Sequence, residues 1–295
     1  MKEILKEMLF FPVRIALKYV GIVQGIWPGI DARLNDVLYA EIQQKTSPVS
    51  YRVSEGTINL KFFTPNEVCR YRVATFETKE PETLKWIEKY GGGVFYDVGA
   101  NIGLFSVFYA KRYSQLAYAF EPSALNLGQL AKNIALNEVS DNVIVVPMPL
   151  SRESLTTEFK LSMLDEGGSM SQFGLTESGT DPSSATQMTY QTAGLPLDSL
   201  VGEPFNFPLP SLMKIDVDGL EDQILLGAKD VLRCQKLKSV LIEVDENYPS
   251  AQQCIEERLH AAGFTFVGKD RSAMFDDTNF ANSYNQIWER PGNGS

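Results

Sequence analysis

The chain has 295 residues, of which 44% are hydrophobic, and it carries a formal net charge of −10 with a pI of about 4.8. This length suits one large domain or two modest ones, and the apolar content is sufficient for a buried core. The negative charge, with no local basic patch, argues against a nucleic-acid partner because phosphates would be repelled. The one histidine, His260, excludes a zinc site built on histidines.

Three cysteines, Cys69, Cys234 and Cys254, are odd in number and far apart, and no Cys-x-x-Cys motif occurs. Such cysteines are typical of a reducing compartment, so we expect a cytoplasmic protein.

The N-terminal stretch, residues 1–30, is apolar but is interrupted by Pro12, Arg14 and Lys18. It is too short and too charged to predict a membrane-spanning helix, and it has no convincing signal-peptide cleavage site. We expect an amphipathic helix that packs on the body of the protein. The alternatives are a helix lying on a membrane surface and a contact between copies of the chain, which would make the protein a homo-oligomer.

Residues 1–90 are interpreted as an accessory region, in which the pattern predicts a helix over 34–44, one or two strands over 51–63 and a helix over 81–90. From residue 91 to 295, strands and helices alternate. The predicted strands cover residues 94–98, 116–120, 142–146, 212–217, 239–244, 264–267 and 286–289. The predicted helices cover residues 102–113, 123–137, 220–232 and 251–262.

This alternation predicts an α/β fold with a mostly parallel seven-stranded sheet and helices on both of its faces. The last two strands have only a short connection, so we expect them to pair as an antiparallel edge. Residues 165–194 are rich in Ser, Thr and Gly and do not fit the alternation of strands and helices. An insertion of this length is expected either to cover the open end of the sheet as a substrate lid or to be passive.

A glycine turn, Asp97-Val98-Gly99-Ala100-Asn101-Ile102-Gly103, joins the first predicted strand of this domain to a helix. Gly99 and Gly103 would let the backbone approach a ligand closely, and the helix would point free N–H groups at it. Asn101 stands where a dinucleotide site needs its middle glycine. Asp97 would repel a phosphate but would attract a sulfonium or an ammonium group.

An acid and a proline, Glu121-Pro122, end the next predicted strand, about 20 residues beyond the turn, where an acid commonly binds ribose hydroxyls. The ligand should therefore carry a ribose for Glu121 and a cationic or amino-acid end for the turn. S-adenosylmethionine has both. The alternative is a glycine-rich turn that binds no ligand.

A second constellation, Lys214-Ile215-Asp216-Val217-Asp218-Gly219, ends another predicted strand. Strand alternation places Lys214, Asp216 and Asp218 on one side, where a reacting hydroxyl would lie. A carboxylate near a lysine stays ionised and can accept a proton, and the lysine could hold the substrate oxygen. The alternatives are a buried ion pair with Asp218 as a helix cap, or a metal held together with Glu243, which ends a neighbouring strand.

In chain order, these segments resemble the FkbM family of S-adenosylmethionine-dependent methyltransferases over roughly residues 75–245. The resemblance rests on the following segments: Phe95-Tyr96-Asp97-Val98-Gly99-Ala100-Asn101-Ile102-Gly103, Phe120-Glu121-Pro122, Asn133-Ile134-Ala135-Leu136-Asn137, Lys214-Ile215-Asp216-Val217-Asp218-Gly219-Leu220-Glu221 and Ile242-Glu243-Val244.

The resemblance implies a class I Rossmann-like methyltransferase fold and O-methylation of a hydroxyl on a glycan or another small hydroxylated metabolite. It implies that the glycine turn cradles the methionine end of the cofactor through Asp97, Gly99, Ala100, Asn101 and Gly103. Glu121 and Pro122 would lie at the ribose and Ser151 near the adenine. The segment from Arg72 to Pro81, which includes Glu80, resembles the part of the family that precedes the core and could close over the cofactor.

For catalysis, we expect Asp216 or Asp218 as the base and Lys214 as the residue that orients the acceptor, with no metal. The family usually has Glu at the position of Asp218, so this acid has a shorter reach. Two other functions remain as alternatives. One is a non-catalytic cofactor-binding or scaffold protein, and the other is a nicotinamide-dependent oxidoreductase, which the missing middle glycine disfavours.

Overall fold

The computed structural model describes residues 28–174 and 186–292, with side chains from residue 36 onward. The chain divides into two compact units, residues 1–45 and 46–295. In the first, the described element is helix α1 (Pro28–Gln43), where the sequence predicts a helix over 34–44. The amphipathic helix expected near the N-terminus falls mainly on residues 1–27, outside the described residues. Within the described part of the chain, no helix is long and apolar enough to cross a membrane.

The second unit begins with a hairpin and two helices, which are β1 (Thr46–Val53), β2 (Gly56–Phe63), α2 (Glu67–Ala74) and α3 (Pro81–Tyr90). Phe62 of β2 and Trp86 of α3 are buried in the same hydrophobic cluster as Phe95 of the central sheet. Because these residues share one core, residues 46–90 pack as one unit with the sheet, whereas the sequence predicts a boundary after residue 90.

The remaining elements complete the α/β domain. The strands are β3 (Phe95–Val98), β4 (Ala117–Phe120), β5 (Val143–Val146), β6 (Leu155–Leu161), β7 (Gln172–Phe173), β8 (Met188–Gly194), β9 (Leu212–Ile215), β10 (Ser239–Asp245), β11 (Thr265–Asp270) and β12 (Ser283–Glu289). The helices are α4 (Leu104–Tyr113), α5 (Ala124–Leu136), α6 (Leu197–Val201), α7 (Glu221–Leu226), α8 (Lys229–Arg233) and α9 (Pro249–Ala261), with a short 3₁₀ turn at Ala273–Phe275.

The central sheet has seven strands in the order β11-β12-β10-β9-β3-β4-β5, and all of its inner pairs from β10 to β5 are parallel. Successive side chains of each strand point to opposite faces of the sheet and pack in different hydrophobic clusters. Phe95 belongs to one cluster and Tyr96 to the other. Helices α3, α4 and α5 pack on the first side, and α6 to α9 pack on the second. The predicted fold is therefore confirmed.

Two details differ from the prediction. The last two strands pair antiparallel as expected, but β12 lies between β10 and β11, so β11 forms the edge. The single helix predicted over residues 220–232 is divided into α7 and α8 at Gly227. A Cβ at Gly227 would lie 2.1 Å from the carbonyl oxygen of Ser151, so the chain bends where only glycine fits.

The Ser/Thr/Gly-rich segment contributes two strands to a small antiparallel sheet of order β7-β6-β8. Its core is formed by Phe159, Leu161 and Phe173. Every second residue of β8 is exposed, so the strand lacks the apolar run by which the buried strands are recognised. Residues 175–185 lie outside the described part of the chain.

The turn after β3 brings two strands of the sheet into close contact. Gly99 has φ +89°, and a Cβ there would lie 1.9 Å from the carbonyl oxygen of Asp216. The space that a side chain would need is thus occupied by the neighbouring strand end, and a ligand is not required to explain this glycine.

We expect Gly99→Ala to lower the free energy of unfolding by about 2–5 kcal/mol, because the new methyl group adds a steric clash to the cost of a positive φ. Gly92→Ala is the matched control, since Gly92 has φ +106° and nothing within 4 Å of its Cβ position. It should cost only about 1–2 kcal/mol. Denaturant titration measures both, and equal losses would show that the contact with Asp216 is unimportant.

Candidate active site

A cavity of about 410 Å³ lies at the carboxyl ends of the parallel strands. Six of the predicted site residues line it: Gly99, Asn101, Glu121, Pro122, Asp216 and Asp218. Five others lie outside its lining: Asp97, Ala100, Gly103, Ser151 and Lys214. The cavity thus forms where the ends of β3, β4, β9 and β10 meet, which is the usual ligand crevice of such sheets.

In the glycine turn, the five main-chain N–H groups of residues 99–103 all donate hydrogen bonds within the protein. Gly99 and Ala100 donate to the Phe120 carbonyl, Asn101 to Glu121, Ile102 to the Asn101 side chain and Gly103 to the Ala100 carbonyl. The N–H groups of Ile102 and Gly103, at the start of the predicted helix, are therefore not free to bind a ligand, and the expectation that the helix points free N–H groups at a ligand stays a prediction for the residues that follow. The turn offers no cradle of free amides of the kind that binds a phosphate.

Glu121 is buried at the end of β4 and joins two segments. Its Oε2 accepts from the N–H of Asn101 at 2.8 Å, and its Oε1 accepts from the N–H of Ser123 at 2.7 Å. Burial raises the pKa of this carboxyl to about 7, against the lowering effect of these two hydrogen bonds. Each oxygen keeps further lone pairs that can accept from a ligand in the cavity.

Asn101 holds the turn against the segment that precedes β7. Its Nδ2 donates to the carbonyl of Gly168 at 2.7 Å, and Arg72 donates to the carbonyl of Gly167 at 2.5 Å. Arg72 and Gly168 both line the cavity. Part of the Ser/Thr/Gly-rich segment thus forms a wall of the cavity.

Asp97 lies beneath the turn with 1% of its surface exposed. Its Oδ2 accepts from the hydroxyl of Ser106 at 2.5 Å, and its Oδ1 has no hydrogen-bond partner in the described part of the chain. Burial raises the pKa of this carboxyl, and the nearby ammonium of Lys214 opposes that rise. The structure therefore places Asp97 toward the protein interior and not in the cavity wall.

Lys214 is 2% exposed and stands opposite Asp97 in the pairing of β3 with β9. Its Nζ lies 2.5 Å from Oδ2 of Asp216, 3.6 Å from Oε2 of Glu80 and 5.2 Å from the centre of the Phe105 ring. Burial alone would lower the pKa of this lysine, but the carboxylates of Asp216, Glu80 and Asp97 raise it. The ammonium is therefore a permanent charge that faces Asp216, and Lys214 does not reach the cavity.

The pKa values of three carboxylates along this edge are shifted in different directions. Burial opposes ionisation of Asp216, but Lys214 and Lys79 outweigh it and hold the pKa of Asp216 below its usual range. Burial and the charge of Asp216 raise the pKa of Asp218, and they raise that of Glu243 well above its ordinary value. Among the described residues, no group of three or more His, Cys, Asp or Glu side chains is arranged to hold a metal ion.

Asp218 sits at an unusual point of the backbone, with φ +60°, and its Oδ2 accepts from the N–H of Met170 at 2.7 Å. The helix cap suggested for it is not formed, because α7 begins after Leu220, and no side chain caps that end of the helix. The buried carboxylate of Glu221 accepts instead from the N–H groups of Val217 and Gly219.

Ser151 is buried, and its hydroxyl donates to the carbonyl of Glu153 at 2.6 Å. Its neighbours Met148, Pro149 and Leu150 line the cavity in its place. Sequence reasoning also missed Glu82 and Asn285, which line the cavity from α3 and β12. They are 203 residues apart, and no local pattern links them.

Comparison with known proteins identifies a family that this chain matches. Residues 97–267 match the family described as the methyltransferase FkbM domain. A search of the curated proteins found no match.

Several solved structures are similar. One is a methyltransferase FkbM from Methylobacillus flagellatus KT, with 13% identity and a TM-score of 0.44 over 66% of this chain. The chain spans 42% of the length of that protein. Another is the magnesium protoporphyrin IX methyltransferase from Synechocystis PCC 6803 with bound SAM, with 11% identity, a TM-score of 0.44 and coverage of 76% of this chain and 84% of that one. A third is the precorrin-6y C5,15-methyltransferase from Geobacter metallireducens GS-15, with 12% identity, a TM-score of 0.42 and coverage of 71% and 86%.

The sheet order, the cavity at its strand ends and the family match define the class, which is an α/β methyltransferase domain of the class I Rossmann-like fold. Within this class, the chain belongs to the FkbM methyltransferase family, because the family match covers more than half of it.

The raised pKa of Glu121 predicts how stability depends on pH. The folded protein keeps this proton up to a pKa of about 7, whereas the unfolded chain releases it near 4.5, so stability is lost as the pH rises through this window. We expect Glu121→Gln to remove up to about 3 kcal/mol of that fall. Denaturant titrations of both proteins from pH 4.5 to 8 check this. Parallel curves would show that Glu121 does not titrate in this window.

Proposed function

We propose that the chain is an S-adenosylmethionine-dependent O-methyltransferase that acts on a hydroxyl of a glycan or another small hydroxylated metabolite. One observation carries the proposal. In a member of the FkbM family, a single cavity joins the carboxylate of Glu121 to the carboxylates of Asp216, Asp218 and Glu243. This combination suits a ligand with hydroxyls at one end and a positive charge at the other.

The residues present fit this cofactor. Glu121 keeps lone pairs for the two ribose hydroxyls, and Asp216 supplies a permanent negative charge for the cationic, amino-acid end. Asn101 lines the wall between them. The turn uses its own amides internally, which suits a cofactor without phosphates better than a nicotinamide dinucleotide. Met148 and Leu150 supply an apolar surface for the adenine, which the family resemblance implies near Ser151.

When bound, S-adenosylmethionine supplies a methyl group on a positively charged sulfur. The protein has to align the acceptor hydroxyl, exclude water and take its proton. Of the two carboxylates expected as the base, Asp216 is the weaker because its pKa is lowered by Lys214. Asp218 has a raised pKa and lines the cavity, so we assign the proton to its carboxylate. Lys214 then positions Asp216 and does not hold the acceptor itself.

We retain the other sequence expectations as proposals. The net charge of −10 supports a small-molecule or glycan acceptor over nucleic acid. The free thiols of Cys69, Cys234 and Cys254 support a cytoplasmic location. For the N-terminal region we retain the amphipathic helix that packs on the body of the protein. The alternatives are a contact with a membrane surface and a contact with a second copy of the chain.

Cofactor affinity should depend on pH through Glu121. Ribose hydroxyls donate to the ionised carboxylate, so binding should tighten as the pH rises toward the pKa of about 7 and level off above it. Below that pH, the affinity should fall by up to about tenfold per unit. Calorimetry with S-adenosylmethionine from pH 6 to 8 measures this. Glu121→Gln should bind more weakly with a flat profile, and no heat from the wild-type protein would refute the proposed function.

Turnover should depend on Asp218. We expect Asp218→Asn to lower kcat by about 10²–10⁴-fold, because general-base catalysis contributes on this scale, with cofactor affinity changed by less than about threefold. Labelled cofactor and a panel of hydroxylated acceptors provide the assay.

Asp222→Asn is the matched control, since Asp222 lies on α7 outside the cavity lining and its side chain accepts from Gln223. It should leave kcat unchanged. If Asp216→Asn abolishes turnover while Asp218→Asn does not, the proton goes to Asp216 and our assignment is wrong.

A further inference from the structure

One face of helix α2 forms part of the cavity wall. Val68, Tyr71 and Arg72 line the cavity and are spaced three and four residues apart, so their side chains share this face. Arg72 lies in the last turn of the helix and brings a positive charge to the cavity. The functions assigned above give this charge no role.

The charged residues around the cavity leave Arg72 without a counterion. Six acidic residues line the cavity: Glu80, Glu82, Glu121, Asp216, Asp218 and Glu243. Two other cations line it and are paired. The Nζ of Lys79 lies 3.2 Å from Oε1 of Glu80, and Nη1 of Arg271 lies 2.8 Å from Oδ1 of Asp276. Arg72 forms no ion pair within the described part of the chain, although its charge faces an acidic cavity.

One hydrogen bond fixes the orientation of the Arg72 guanidinium. Its Nε donates to the carbonyl of Gly167 at 2.5 Å, and the N–H of Gly167 donates in turn to Oδ1 of the buried Asn126 at 2.8 Å. The two terminal nitrogens, Nη1 and Nη2, make no hydrogen bond to the described residues, and both keep accessible surface. They are therefore open to a ligand and can bind both oxygens of a carboxylate.

The guanidinium acts on carboxyls at both ends of the proposed cofactor site. Burial has the largest single effect on the pKa of Glu121, Asp216 and Asp218, and it raises each of them. The positive charge of Arg72 lowers the pKa of all three. Arg72 therefore lies within electrostatic range of the acid assigned to the ribose and of the acids assigned to the reaction.

The amino-acid end of S-adenosylmethionine carries a carboxylate as well as an ammonium group. Asp216 attracts the ammonium, but a cavity lined by acids repels the carboxylate unless a cation neutralises it. Arg72 and Asp216 line the same cavity and form no ion pair with each other in the described structure. The cavity thus offers one unpaired positive group and one permanent negative group, which is the combination that a zwitterion requires.

We propose that Arg72 binds the carboxylate of the cofactor through its two terminal nitrogens, while Asp216 faces the ammonium group. This inference rests on the proposed methyl transfer and adds to it the recognition of the complete amino acid. The hydrogen bond to Gly167 holds the side chain in advance, so less conformational freedom is lost on binding. The protein then distinguishes the cofactor from a nucleoside that keeps the sulfonium and the amine but lacks the carboxylate.

The experiment is a calorimetric comparison of two ligands on the full chain. One ligand is S-adenosylmethionine. The other is decarboxylated S-adenosylmethionine, which has the same adenine, ribose, sulfonium and amine. We expect the wild-type protein to bind the decarboxylated ligand about tenfold or more weakly, because a pair of charge-assisted hydrogen bonds is lost.

Two variants connect this preference to Arg72. Arg72→Gln should weaken the binding of S-adenosylmethionine about tenfold or more and change that of the decarboxylated ligand by less than about threefold. The two ligands should then bind almost equally. Arg72→Lys keeps the charge without the paired donors and should retain part of the preference.

Arg70→Gln is the matched control, because Arg70 lies on the same helix, pairs with Glu67 and stands outside the cavity lining. It should change neither affinity. Melting temperatures establish that each variant is folded.

The outcomes separate the two proposals. No heat from either ligand with the wild-type protein overturns the proposed function and this inference with it. If S-adenosylmethionine binds, equal affinity of the wild-type protein for both ligands overturns the inference alone. Equal weakening of both ligands in Arg72→Gln also overturns it, since Arg72 would then act by holding Gly167 and not by binding the carboxylate. Unchanged binding in that variant has the same consequence.

Discussion

One buried ammonium group connects the parts of this protein on which the cavity depends. Lys214 lies within the sheet opposite Asp97, contacts Asp216 at the end of its own strand and reaches Glu80, which precedes α3. A charge so deeply buried is costly unless carboxylates surround it, and these carboxylates would repel one another without it. The interaction therefore ties β3, β9 and the segment before α3 into one arrangement. Loss of the ammonium would disturb all three.

The same cation gives the neighbouring acids different properties. Asp216, in contact with it, remains ionised, whereas the pKa values of Asp218 and Glu243 are raised by burial and by the charge of Asp216. Similar side chains within one cavity thus differ in how readily they ionise, because their surroundings differ. The direction of each pKa shift along this edge therefore follows from burial and from the nearest charges more than from residue type.

The sequence predicts the central sheet well and the surroundings of the cavity less well. Buried parallel strands have continuous apolar runs, so β3, β5 and β10 could be placed within a residue or two. Strand β8 and helix α2 escaped prediction, because β8 is half exposed and α2 has only two buried residues. Glu121, Asp216 and Asp218 were predictable because each follows a strand. Glu82 and Asn285 were not, since only the folded chain brings together residues so far apart.

The backbone at Asp218 favours the short acid that stands where the family resemblance leads us to expect Glu. Its φ of +60° lies in the left-handed region, which L-amino acids with long side chains adopt at a cost and which Asp and Asn adopt more readily. The shorter acid therefore relaxes the turn where a glutamate would strain it. The carboxylate of Asp218 reaches less far than that of a glutamate would. The N–H of Met170 donates to it and holds it in place. A glutamate at position 218 would add one methylene group. It would change both the conformational freedom of the backbone and the position of the carboxylate, so Asp and Glu are not equivalent here even though they carry the same charge.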